Sequence, residues 1–164
     1  MADSVPISAD WLDGRVLYQV PFMHRAVAKG DLNSVRSWVR EGRRSVHEQC
    51  EFEIDITRSG SRAWYINRHS HVHVTKMTPL HVAFLKGHDD IADVLLRNGA
   101  RMQDVVHISV TGFQPGAQTT YLTLTGDDLA RMFNSAHQGR ARAIELGSGP
   151  GGFCGYHDCV CAVQ

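Results

Sequence analysis

The sequence predicts an α+β chain, mainly helical, in which short helix pairs carry one or two long β-hairpins. Three observations predict it. Two stretches, around His24 and His81, share one spacing: with each His as zero, Ala stands at +2, Gly at +6, large apolar residues at +14 and +15, and Gly at +18. Residues 51–57 alternate charged or polar with apolar side chains, the period of two that marks a strand. Two further β-rich runs, Val105–Val110 and Thr120–Thr125, are parted by the turn-rich Gly112-Phe113-Gln114-Pro115-Gly116.

Taken in order, residues 1–20 form an N-terminal segment without a clear period. Residues 21–42 form the first helix pair, entered through Pro21-Phe22-Met23-His24. The second pair, 78–101, has the clearer signals. Thr78 suits a helix cap, and Pro79 suits the first helical position, where its missing N–H is not needed. Gly87 and Gly99 suit left-handed helix ends, and Ile91, Val94 and Leu95 fall at the spacing of one buried helical face. The string Thr78-Pro79-Leu80-His81-Val82-Ala83 resembles the T-P-L-H-x-A hallmark of the ankyrin repeat. In that family the motif's His is a structural hydrogen-bonding residue, which is the role the resemblance implies for His24 and His81.

His24 and His81 lie 57 positions apart; a family period of about 33 leaves about 24 residues over. The excess falls in an insert at 43–77, where the family carries its hairpin loop. Glu51–Thr57 reads as one strand, Arg58–Ser61 as a turn and Ala63-Trp64-Tyr65-Ile66 as a second strand. The insert is thus expected to be a finger that projects from the array and folds apart from the repeat cores; a repeat degraded beyond recognition is the alternative. Asp127–Gln138 reads as a helix ended by Gly139. Residues 127–146 then form a degenerate third unit that lacks the T-P-L-H entry, and 147–164 a Gly- and Cys-rich tail.

Lys plus Arg and Asp plus Glu each number 17, so bulk charge argues against nucleic-acid or acidic-membrane binding. A hydrophobic content of 43% suffices for a core. No segment is apolar enough for a membrane helix, and the start lacks the marks of a secretory signal, so a cytoplasmic protein with reduced thiols is expected. The ten His would carry the net charge toward +10 in acid. His69, His71 and His73, spaced by two, share a face if they lie on a strand; a solvated strand face is favoured over a metal site. Arg36, Arg40, Arg43 and Arg44 read as a solvated helix face.

Two strings near the end suggest other chemistry. Ile144–Gly152, with Gly147, Gly149 and Gly151, resembles the first motif of S-adenosylmethionine-dependent methyltransferases; a Gly-rich linker is the favoured reading, because the rest of such a domain does not follow. Cys161-Ala162-Val163-Gln164 fits the prenylation pattern, with Cys159 placed for a second lipid. Peripheral membrane association through such a lipid is the expectation attached to it.

No catalytic, metal or cofactor site is expected. The resemblance implies a protein–protein interaction module or adaptor, with a methyltransferase fragment as the alternative. The family binds through hairpin tips and the exposed face of the first helix of each pair. Carried onto this chain, that implies partner contacts at Arg25, Lys29, Val82 and Lys86, and at Arg58, Trp64 and Tyr65 on the finger.

Overall fold

A computed structural model describes residues 12, 14–56, 70–113, 115–133 and 135–137. A 3-10 helix, Gly14–Tyr18, leads into helices α1 (Phe22–Lys29) and α2 (Leu32–Arg40). Strands β1 (Cys50–Ile56) and β2 (Ser70–Met77) follow, then α3 (Pro79–Lys86) and α4 (Asp89–Arg97). Strands β3 (Val105–Gly112) and β4 (Thr119–Thr125) and helix α5 (Gly126–Met132) complete the described chain.

The helix ends match the local chemistry of the sequence. Thr78 Oγ1 accepts the His81 N–H while His81 Nδ1 accepts the Thr78 N–H, a reciprocal cap in which an imidazole does the work usually done by Glu. Pro79 occupies the first turn, and Gly87 ends α3 at φ 73°. Gly30 does the same for α1 at φ 75°, but Pro21 supplies no side-chain cap. Asp31 accepts the Ser34 N–H at the start of α2.

The third unit begins elsewhere than expected. The helix is Gly126–Met132, not Asp127–Gln138, and Ser135–His137 lie beyond it. Its entry is Thr125-Gly126-Asp127-Asp128: Thr125 Oγ1 accepts the Asp128 N–H, and Asp128 accepts the Thr125 N–H at 2.9 Å. Thr125 and Ala130 therefore repeat Thr78 and Ala83, with Asp128 standing where His81 stands. At the first helical position Gly126 replaces Pro79, because a Cβ there would lie 2.9 Å from the Met102 carbonyl oxygen.

The four strands form one antiparallel sheet in the order β1-β2-β3-β4. The strand facing β1 is Ser70–Met77; the expected strand at 63–66 and its turn lie outside the described residues. Joining of the two hairpins through β2 and β3, from Ser70↔Gly112 to Thr75↔His107, corrects the picture of a separate projecting finger. Phe52, Val72 and Val74 are fully buried, so the base of the insert belongs to the core. The architecture is mixed α+β, with a sheet as integral as the helices.

Register sorts the side chains. Phe52–Val74–Ile108–Leu122 and Ile54–Val72–Val110–Thr120 cross one face, and Glu53–His73–Ser109–Tyr121 and Asp55–His71–Thr111–Thr119 the other. In the helical layer α3 is central, packing on α1, α4 and α5, and Leu80, Phe84, Leu85, Ile91 and Leu95 are fully buried.

Candidate protein-interaction surface

Two buried imidazoles tie the layers together. His24 Nε2 donates to the Met77 carbonyl and His81 Nε2 to the Asp104 carbonyl, each at 2.8 Å. Each first helix thus grips the hairpin that follows its own unit. Because His81 Nδ1 accepts from Thr78, its ring is the neutral Nε2–H form. Burial lowers both pKa values, that of His24 to about 4, where neighbouring backbone carbonyls only partly offset it. These residues build the scaffold and face no solvent.

An exposed cluster of rings and guanidiniums lies at the first unit. Phe22 on α1 is 56% exposed and Tyr18 of the preceding 3-10 helix is 80% exposed. The Arg25 guanidinium stands 5.5 Å from the Tyr18 ring centroid and 5.2 Å from that of Phe22. Its Nε donates to the Leu17 carbonyl at 2.8 Å, which fixes the side chain against the aromatics. Arg44 stands 5.2 Å over the same Phe22 ring. Cation–π stacking of this kind holds rings and guanidiniums in set positions, and Arg and aromatic residues are the usual anchors of interfaces. Residues 14–44 carry seven Lys or Arg against two Asp or Glu, so the surface is basic within a chain of zero formal charge.

The other expected partner residues divide. Lys29 is exposed on α1, and Lys86 takes the matching position on α3, half-buried. Val82 is fully buried: α3 has neighbours on three sides and every residue from Pro79 to Leu85 is inside, so Val82 is core and offers no contact surface. Arg58, Trp64 and Tyr65 lie outside the described residues, as do Gly147, Gly149, Gly151, Cys159 and Cys161. Register could point to Arg25 and Lys29. Tyr18, Phe22 and Arg44 are brought together only by the fold, and the one sequence signal is the presence of aromatics beside Arg.

On the polar sheet face His71 Nδ1 donates to Asp55 at 2.7 Å, and His73 Nε2 to Glu51. These are cross-strand pairs joining β1 to β2, and among the described residues no group of His, Cys, Asp or Glu is arranged to hold a metal. Cys50 is buried and its thiol is pushed up to about 12, first by burial and then by Glu48, so it is no nucleophile. No helix among the described residues is long and apolar enough to cross a membrane.

A family model for the ankyrin repeat matches residues 75–107. The chain carries an ankyrin repeat. The matched ankyrin unit takes in the end of β2, the α3–α4 pair and the start of β3. The unit before it, α1–α2 with β1 and β2, shares its helix-and-hairpin construction, and among the described residues the unit after it shows the capped first helix α5. Comparison with curated proteins and with solved structures finds no match to the chain.

Proposed function

We propose that the protein is a protein–protein interaction module, acting as an adaptor without chemistry of its own, and that its first unit supplies the principal contact. The observation that carries the reading is the Tyr18–Phe22–Arg25–Arg44 cluster, two exposed rings braced by two guanidiniums. Lys29 is exposed on the same helix, and the cationic excess of residues 14–44 suits a partner segment that is acidic with an aromatic or aliphatic anchor. The carbonyls that hold Arg25 keep the cluster preorganised, which lowers the ordering cost of binding.

Affinity capture with the full chain, followed by mass spectrometry, tests it. Phe22→Ala combined with Arg44→Glu is expected to abolish capture of the specific partner while leaving the thermal transition in place. Undiminished capture would refute the assignment of the surface.

A further inference from the structure

The two edges of the sheet are built differently. On β1, Glu51, Glu53 and Asp55 place three carboxylates in seven residues, and register shifts between Cys50 and Phe52. The Gln19 side-chain amide engages the outward main chain there, donating to the Glu53 carbonyl at 3.5 Å and accepting the Glu53 N–H at 3.4 Å. Charges, an irregular register and a plugged main chain are the usual defences against strand addition. On the opposite edge β4 reads Thr119-Thr120-Tyr121-Leu122-Thr123-Leu124-Thr125, with no charge, no Pro and a regular register to β3. Apart from the Thr125 N–H, which Asp128 accepts, its outward N–H and C=O groups find no partner among the described residues.

One exposed aromatic stands on that edge strand, and two further exposed apolar residues flank the strand in sequence. Five large hydrophobics are exposed among the described residues; Tyr18 and Phe22 belong to the first unit, and the other three are Phe113, Tyr121 and Met132. Tyr121 is 78% exposed in the middle of β4. Phe113 lies in the turn before the strand and Met132 near the end of the helix after it.

We infer that β4 pairs with β4 of a second copy of this chain, antiparallel about a two-fold axis normal to the sheet, giving one continuous eight-stranded sheet. The occupant follows from self-complementarity. An antiparallel strand set against itself about a two-fold axis faces its own composition, so a strand charged with one sign would meet that sign across the seam, whereas seven uncharged residues meet no such repulsion. With Leu122 on the axis, Leu122 meets Leu122, Tyr121 meets Thr123, and Thr120 meets Leu124. Such an axis keeps both apolar faces on one side, so the half-buried Leu122 and Leu124 of the copies adjoin. It also lays the Phe113 end of each copy beside the Met132 end of the other. The β2–β3 pairing shows this sheet already extending by antiparallel union of separate hairpins.

Sedimentation equilibrium on the full chain from micromolar to high-micromolar concentration tests the inference. The expected result is a monomer–dimer equilibrium with a limiting mass twice 18.2 kDa. Tyr121→Lys with Thr123→Lys sets a Lys opposite a Lys at two places, on exposed positions that keep the fold by circular dichroism. It is expected to weaken the dimer at least tenfold. In mixed samples Tyr121→Cys and Thr123→Cys should cross-link to each other under mild oxidation. A monomer throughout the concentration range overturns the inference, as does a dimer indifferent to the lysines, which would have its interface elsewhere.

Discussion

Acid should weaken this protein through His24, and the size of the effect can be worked out. The ring is fully buried; burial disfavours its charged form, a charge on nearby His81 would add to the penalty, and the Met77 carbonyl pulls the other way. The balance puts its pKa at about 4 in the folded chain, against 6.5 when unfolded. Above pH 6.5 neither state binds the proton, and His24 makes no contribution to pH dependence. Below it the unfolded chain takes up a proton that the folded chain refuses, so stability falls as pH falls, until the native ring itself protonates near 4. At about 1.36 kcal/mol per pH unit the loss is about 2 kcal/mol at pH 5 and about 3 kcal/mol in full. A domain stable by only about 5–15 kcal/mol would register that. His81 is displaced in the same direction by its burial and adds to the trend.

Urea denaturation at a series of pH values from 7.5 to 4.5 measures the slope, and His24→Gln isolates the residue. The Gln amide nitrogen can replace Nε2 as donor to the Met77 carbonyl but does not titrate. The variant should therefore lose stability with falling pH less steeply than the wild type, by about 2 kcal/mol at pH 5. Equal slopes in the two proteins would refute the reasoning.

Two further perturbations test the packing. Leu95→Ala or Leu80→Ala removes a fully buried side chain from the helical layer and should cost about 2–5 kcal/mol in chemical denaturation; a change under about 0.5 kcal/mol would mean that the repeat assignment is wrong. Gly126→Ala forces a Cβ against the Met102 carbonyl and should destabilise by about 1–3 kcal/mol despite the better helix propensity of Ala, read as a lowered melting temperature. A neutral result there would show that the approach of α5 to Met102 is loose.

What the sequence made legible follows how local each signal is. In the second unit Thr78, Pro79, His81 and Gly87 each act on neighbours within a few positions, and all take their expected places. The third unit was legible only in part. Its cap survives as Thr125, but Asp128 replaces the imidazole by which the motif is recognised, and Gly126 answers to a contact with Met102 that no local pattern encodes. The union of β2 with β3 joins segments parted by a helix pair, so alternation revealed the strands without their order. Val82 was misplaced for a related reason. Its register matches Arg25, but an apolar side chain at that position reflects a helix enclosed by α1, α4 and α5.

The two imidazole links give the array its rule of growth and show where the rule changes. His24 reaches from α1 to the end of β2, and His81 from α3 to the loop before β3, so each helix pair fixes the hairpin that follows it and the sheet lengthens in step with the helices. The equivalent residue on α5 is Asp128. Its carboxylate turns back to accept the Thr125 N–H and the Arg131 guanidinium, and it makes no link to a hairpin among the described residues. A carboxylate cannot donate to a carbonyl as the buried imidazoles do. The third unit therefore keeps the cap of the repeat and, among the described residues, grips no next hairpin. The strand left at that boundary is β4, the uncharged edge with an exposed tyrosine. The absent imidazole and the uncharged edge thus fall at one place: among the described residues the helical layer grips no hairpin beyond β4, and β4 is the strand for which pairing with a second copy is inferred.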